Sequence, residues 1–105
     1  MYTFTFINNV AILTINQEQK EFKVLFDRNL YNKIKNKKWK IDNKGYCYYI
    51  NKSNKHILFH RLVVNCPKGL VVHHINQNTL DNRKENLKPM TICEHSHLHN
   101  PKKLT

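Results

Sequence analysis

Cysteine is scarce in this 105-residue chain, and its pattern argues against two classes of small protein. The three cysteines, Cys47, Cys66 and Cys93, are odd in number, and no two of them have C-x-x-C spacing. A disulfide framework and a four-cysteine zinc ribbon are therefore disfavoured. We expect reduced thiols in an intracellular protein, with each cysteine buried as a small apolar side chain.

Long apolar runs are lacking as well. No segment approaches the roughly 20 apolar residues that a membrane-spanning helix needs, so no membrane partner is expected. The N-terminal residues do not show a basic start followed by an apolar stretch, and no signal peptide is predicted. An apolar content of 40% predicts a small core, and chains of this size are often stabilised by a bound metal.

Acidic residues are few: seven Asp and Glu stand against 18 Lys and Arg, which gives a formal net charge of +11 at pH 7. Such an excess suits a polyanionic partner, either nucleic acid or an anionic membrane surface. Solubility alone, or the Lys, Asn and Ile usage of an AT-rich genome, would produce a similar composition. The charge by itself therefore favours nucleic-acid binding only modestly.

The first half of the chain has the alternating pattern of β-strands. Residues 2–26 predict a small antiparallel sheet of three strands, with turns at 8–9 and 17–20. Asp27 is expected to cap a helix that ends near Lys37. The remaining predicted elements before the Pro67-Lys68-Gly69 break are strands over 46–50 and 57–59 and a short helix over 60–65.

Lysines and aromatic residues are interleaved after residue 32. Five of the eight residues from 33 to 40 are lysine, Trp39 lies among them, and three tyrosines follow within ten residues. This composition suits phosphate contact together with stacking on bases. For the lysines we favour nucleic-acid contact over a solvated helix face, whereas for Trp39 a core position is slightly preferred. The candidate nucleic-acid-binding lysines are Lys33, Lys35, Lys37, Lys38 and Lys40.

The second half of the chain is rich in histidine: five of the seven histidines lie between His73 and His99. A β-branched strand starting at Leu70 ends in the adjacent pair His73 and His74, and a polar, asparagine-containing loop follows. Adjacent strand residues point to opposite faces, so both imidazoles can reach one metal only at a bulge or a strand end.

A capping box marks the start of the last predicted helix. Thr91 and Glu94 have the required spacing, which predicts a helix from about Ile92 to His99. His95 and His99 are four residues apart on that helix, so they share one face and can bind one divalent metal. His97 points to the opposite side of the same helix and is not an expected ligand.

These segments together resemble the HNH motif of ββα-metal endonucleases, and most closely the phage and mobile-element branch that includes homing endonucleases. The resemblance implies an α+β chain inside a bacterial cell or a phage-infected host. Together with the strand pattern of the first half, it predicts an N-terminal β-rich module with one helix, contacting DNA, before a C-terminal ββα-metal finger. The segments that carry it are His60-Arg61-Leu62, 72–76, 80–87 and 91–99. The two modules are residues 1–66 and 67–105.

The resemblance also implies a role for each site residue. His73 corresponds to the first metal ligand, which is Asp in many relatives, and His74 corresponds to the general base. Asn86 corresponds to the middle asparagine, which holds the loop and helps to orient the base. His95 and His99 correspond to the helix ligands, with His95 in place of the common Asn. The expected cofactor is one divalent ion, Zn, Mn, Ni or Mg, and an all-nitrogen donor set favours the transition metals.

The expected activity is hydrolysis of phosphodiester bonds in double-stranded DNA, by a monomer or a homodimer. Arg83 and Lys84 are further candidates for DNA contact, although Arg83 is equally compatible with a solvated position. Asn82 is expected to be a turn residue, and Asp81 to cap a short turn. His56 and His60 are expected to be structural.

Two alternatives to an enzyme stay open from the sequence. The first is a DNA-binding protein without catalysis, in which a structural metal uses the same three histidines and His74 is idle. The second is an RNA- or ribosome-associated binding module that uses the lysines and tyrosines.

Overall fold

The structure is a computed structural model that describes residues 2–64 and 69–94. Nearly half of the described residues lie in short antiparallel strands, and the helices are few and short, which is compatible with the predicted α+β class. The elements are β1 (Tyr2–Ile7), β2 (Val10–Gln17), β3 (Lys20–Asp27), α1 (Tyr31–Ile34), β4 (Lys40–Ile41), β5 (Cys47–Ile50), β6 (His56–Leu58), α2 (Phe59–Val64), β7 (Leu70–His74) and β8 (Leu87–Thr91).

Strands β1, β2 and β3 form the predicted antiparallel meander. The turn between β2 and β3 places Glu18 and Gln19 at φ 52° and 65°, the left-handed pair that suits the twist of a tight hairpin. Alternate residues of β2, Ala11, Leu13 and Ile15, are fully buried, so one face of the sheet forms the centre of the core. The period-2 pattern read from the sequence therefore predicted both the strands and their buried face.

Helix α1 is shorter than predicted, and Asp27 does not cap it. Asp27 precedes a 3-10 turn (Arg28–Leu30) without a capping bond, and its Oδ2 accepts a hydrogen bond from the Lys84 backbone N at 2.8 Å. Helix α1 ends at Ile34, whose carbonyl accepts a hydrogen bond from Trp39 Nε1 at 3.0 Å. This bond satisfies a carbonyl at the helix end and holds Trp39 in the core, the preferred position for that residue.

The second sheet, β4–β5–β6, holds the turn between β4 and β5, which contacts the candidate site. Asp42 Oδ1 accepts hydrogen bonds from the backbone N of Lys44 and of Tyr46, both at 2.9 Å, and Gly45 takes a positive φ of 87°. The predicted strand over 46–50 and the predicted short helix after it are both present, the latter as α2.

The cysteine prediction is correct for one residue and wrong for another. Cys47 on β5 is buried in the core as a small apolar side chain, and burial raises the pKa of its thiol. Cys93 is exposed, because it lies in the first helical residues after β8 and away from the core. Cys66 lies outside the described residues.

Strands β7 and β8 form a two-stranded antiparallel sheet that is joined to the rest of the chain through β3. The backbone N of Leu25 donates to the Leu80 carbonyl at 2.8 Å, and the backbone N of Asn82 donates to the Leu25 carbonyl at 2.7 Å. Val72 and Leu87 belong to the same apolar core as the β2–β3 residues. The loop between β7 and β8 is therefore anchored on the first sheet, and the division into modules 1–66 and 67–105 stays a prediction.

Candidate active site

The loop between β7 and β8 is held by the side chain of Asn86. Its Oδ1 accepts a hydrogen bond from the backbone N of Asn76 at 2.9 Å. Its Nδ2 donates to Asn76 Oδ1 at 2.9 Å and to the Asp81 carbonyl at 2.8 Å. Asn86 is buried, so these bonds are shielded from competing water. The amide thus closes the loop across its base and fixes the end of β7.

His74 is the last residue of β7 and is buried, with 5% of its surface exposed. Its Nε2 lies 2.9 Å from Asn82 Oδ1. A carbonyl-type oxygen can only accept a hydrogen bond, so the tautomer that makes this bond carries the imidazole proton on Nε2. The lone pair of the neutral ring is then on Nδ1, which is the nitrogen available to take a proton.

Asn82 contacts His74, and sequence reasoning missed this contact. We expected a turn residue, but the side chain is fully buried and bonded to His74. Asn82 Nδ2 is buried without a hydrogen-bond partner among the residues that the structure describes. One feature of the sequence could have indicated this contact. Asn82 lies in the Asp-Asn-Arg segment of the motif, in a loop that leaves the end of β7 and must return to it.

An aromatic wall lies on one side of the His74 ring. The His60 imidazole on α2 packs edge-on against it, with centroids 5.0 Å apart and an interplanar angle of 88°. Tyr46 lies 5.4 Å from His60 and 5.9 Å from His74, between ring centroids. The turn that carries Tyr46 is tied to the β7–β8 loop, because Thr79 Oγ1 donates to the Gly45 carbonyl at 2.7 Å.

Burial sets the protonation state of both histidines. It lowers the pKa of His74, although the Asn82 hydrogen bond and the Asp81 charge act in the opposite direction. Burial also lowers the pKa of His60, to about 4, with further contributions from the charges of His74 and Arg61. Both imidazoles are therefore neutral at pH 7, the state in which a histidine can act as a base.

Arg83 is hydrogen-bonded to two carboxylates of the same loop, those of Asp81 and Glu85. Its Nε and one terminal nitrogen donate to the two carboxylate oxygens of Asp81 at 2.8 and 2.7 Å, and the other terminal nitrogen contacts Glu85 at 2.6 Å. Burial raises the pKa of Asp81, but the hydrogen bonds from Arg83 and Asn76 outweigh it and leave that pKa lowered. This bidentate pair neutralises a buried carboxylate, so a phosphate contact by Arg83 stays a prediction.

The predicted metal ligands lie only partly within the described residues. His73 pairs with Lys88 and His74 with Leu87 in a regular ladder without a bulge, so the two imidazoles point to opposite faces of β7 at its end. His95 and His99 lie outside the described residues. Within 2–64 and 69–94, no three His, Cys, Asp or Glu side chains form a group that could hold a metal. An imidazole nitrogen such as that of His73 is a borderline donor, of the type that transition metals accept.

The capping box is present as predicted. The Thr91 backbone N donates to Glu94 Oε1 at 3.0 Å, and the Glu94 backbone N donates to Thr91 Oγ1 at 3.1 Å. Residues 92–94 are helical, so the helix starts at Ile92, the expected residue. The hydrogen bonds from Thr91 also lower the pKa of Glu94.

The candidate DNA-binding lysines lie at the surface, as a nucleic-acid contact requires. Lys33, Lys35, Lys38 and Lys40 are exposed, as is Lys84 beside the loop. Lys37 is partly buried: its Nζ donates to the Lys33 carbonyl at 3.1 Å and lies 5.3 Å from the Tyr49 ring centre. The lysines of residues 33–40 are thus not equivalent: Lys37 Nζ is hydrogen-bonded to a backbone carbonyl, and Lys35 Nζ lies 5.7 Å from the Tyr31 ring centre.

A known protein family matches the part of the chain that contains this site. Residues 55–97 match the family model described as HNH endonuclease, which supports assignment of the chain to that family. The match covers less than half of the chain and includes α2, the β7–β8 sheet and the capping box. Comparison with curated proteins and with solved structures found no match. Among the helices in the described part of the chain, none is long and apolar enough to cross a membrane.

Proposed function

We propose that the protein is a metal-dependent endonuclease that hydrolyses phosphodiester bonds in double-stranded DNA, with His74 as the general base. The observation that supports this most is the buried hydrogen bond between His74 Nε2 and Asn82 Oδ1. It leaves the Nδ1 lone pair for proton abstraction from water. The family match supports a nuclease, and the hydrogen bond supports His74 as the residue that acts.

Hydrolysis of a phosphodiester needs an activated water, relief of negative charge on the phosphoryl group and help for the leaving 3′ oxygen. His74 takes the proton of the water, and its lowered pKa keeps the ring neutral for that step. Asn82 holds the ring in one tautomer, and Asn86 holds the loop that carries Asn82. A divalent ion bound by His73, His95 and His99 would stabilise the phosphoryl charge and the leaving oxygen.

The basic surface supports a polyanionic substrate. The formal net charge is +11, and the exposed lysines of residues 33–40 and exposed Lys84 can each donate to phosphate oxygens. We propose that these lysines hold the DNA while the end of β7 positions His74. Arg83 belongs to this set only if DNA displaces it from Asp81 or Glu85.

The test is a plasmid-cleavage assay with a panel of divalent metals, comparing the wild-type chain with His74→Ala. A general base contributes about 10²–10⁴-fold, so the variant should lose at least 100-fold in cleavage rate while it still binds metal and DNA. His56→Ala is the matched control, because it removes an exposed imidazole on β6 by the same chemical change. Normal cleavage by His74→Ala would refute the mechanism.

The burial of His74 also favours a second candidate. A histidine with 5% exposure, packed against His60 and Tyr46, has the surroundings of a structural core residue. In that case the protein binds nucleic acid without cutting it, and the three proposed metal ligands hold a structural ion. Loss of metal from His74→Ala, or absence of cleavage by the wild-type chain with every metal, would favour this second function.

A further inference from the structure

A groove between the end of α1 and the tip of the β5–β6 hairpin has positively charged walls. Its volume is about 400 Å³, and the residues that matter here are Lys37, Lys38, Tyr49, Ile50 and Lys52. We call it the lysine groove. Three ammonium groups line it, together with asparagine amides and a tyrosine, and no carboxylate is among its lining residues.

The wall of the groove on the α1 side is held in place by the core. Trp39 is buried beneath it, and the Tyr49 ring packs edge-on against Trp39 with centroids 5.0 Å apart. Lys37 Nζ lies 5.3 Å from the Tyr49 ring centre and donates to the Lys33 carbonyl. These contacts fix one charged wall before any ligand arrives, which reduces the entropy lost on binding.

The opposite wall is a tight turn at the hairpin tip. Asn51 Oδ1 accepts hydrogen bonds from the backbone N of Ser53 at 2.9 Å and of Lys55 at 3.0 Å. Asn54 takes a positive φ of 63°, which completes the reversal of the chain. The turn therefore places exposed Lys52 at the rim of the groove, next to Ile50, which is 44% exposed.

The charge of this groove distinguishes it from two other clefts of similar size. The cleft lined by Arg28 and Lys84 also contains the Asp27 carboxylate. The cleft beside Lys20 contains Glu18 and Asp42. An anion in either of those clefts would meet a carboxylate, whereas an anion in the lysine groove meets only cations and neutral donors.

We propose that the lysine groove binds the sugar–phosphate backbone of duplex DNA, at a position separate from the phosphate that is cut. Lys38 and Lys52 contact successive phosphates, and exposed Ile50 packs against the sugars between them. The inference rests on the proposed DNA substrate. It assigns to the N-terminal part of the chain a contact that is independent of base sequence and that holds the duplex during cleavage.

The experiment measures binding of a labelled DNA duplex by fluorescence anisotropy over a series of salt concentrations, in EDTA so that no cleavage occurs. Lys38→Gln/Lys52→Gln removes two exposed charges from the groove, and Lys20→Gln/Lys23→Gln removes two exposed charges from β3. Each lost phosphate contact reduces the slope of log K against log salt by about 0.9. We expect the groove variant to lose about 2 in slope and the β3 variant to lose less than half as much.

Several results would overturn the inference. An unchanged salt slope in the groove variant would overturn it. Equal losses of slope in the two double variants would also overturn it, since a diffuse effect of charge explains equal losses. Tighter groove-dependent binding of an RNA duplex of the same sequence than of DNA would overturn the assignment of the partner. Groove-dependent DNA binding by a wild-type chain that fails to cleave DNA with every metal tested would support the groove. It would contradict only the proposed function.

Discussion

Replacing His60 tests the physical basis of the buried histidine pair. His60 is 5% exposed, and burial lowers its pKa to about 4 from the ordinary value of 6.5. The groups that act on it are His74 and Arg61, which lower its pKa, and Asp42, which raises it. Between pH 6.5 and about 4 the unfolded chain binds the proton and the folded chain does not. This contribution to stability is therefore fully present above pH 6.5 and is lost as the pH falls through that window.

The magnitude follows from the size of the shift. One pKa unit corresponds to about 1.4 kcal/mol, so the full effect is about 3 kcal/mol, of which about 2 kcal/mol is lost by pH 5. A domain of this size has a free energy of unfolding of roughly 5–15 kcal/mol, so the loss is readily measured. His60→Phe keeps an aromatic ring beside Tyr46 and His74 but cannot be protonated. We expect it to lose much less stability than the wild type between pH 7 and pH 5.

The assay is urea unfolding at both pH values in EDTA, followed by the fluorescence of Trp39, the one tryptophan of the chain. EDTA removes any contribution of metal release to the pH dependence. His74, whose pKa is also lowered by burial, leaves a residual slope in the variant. His56→Phe, an exposed position on β6, is the control and should keep the wild-type pH dependence. An equal loss in His60→Phe and the wild type would refute the reasoning.

Three further predictions concern the loop and the metal. Asn82→Leu should lower kcat about 5-fold with little change in DNA affinity, since one buried hydrogen bond is worth about 1 kcal/mol. Asn82→Asp keeps an acceptor and should retain more activity; equal kcat in the leucine variant and the wild type would count against tautomer control. Asn86→Leu should lower the free energy of unfolding by about 2 kcal/mol, because three loop groups lose their partner; an unchanged urea midpoint would contradict this role. EDTA should lower the Tm of the metal-loaded chain, since a ligand that binds only the folded form stabilises that form. An unchanged Tm would mean that metal does not bind the free protein tightly.

Local patterns predicted the elements whose formation depends on neighbouring residues. The alternation in residues 2–26 predicted the three-stranded meander, because burial of one face of a strand imposes a period of two. The Thr91–Glu94 capping box predicted the start of the last helix, because its two hydrogen bonds close within four residues. The motif order likewise predicted the match of residues 55–97 to the HNH endonuclease family model, since the order and spacing of its histidines and asparagines are visible in one dimension.

Contacts between distant residues decided the rest. The sequence predicted Asp27 as a helix cap, but its carboxylate accepts a hydrogen bond from the backbone N of Lys84, 57 residues away. Nothing near Asp27 in the sequence indicates this contact. Asn82 was expected in a turn, yet the hydrogen bonds of its segment to Leu25 on β3 hold it in the interior beside His74. His60 and His74 are 14 positions apart and meet only because α2 and β7 pack on one core. The sequence therefore named His74 and Asn86 as candidates. The position of Asn82 beside His74, the tautomer of the proposed base and the neutrality of the His60–His74 pair depend on burial, which the tertiary structure alone sets.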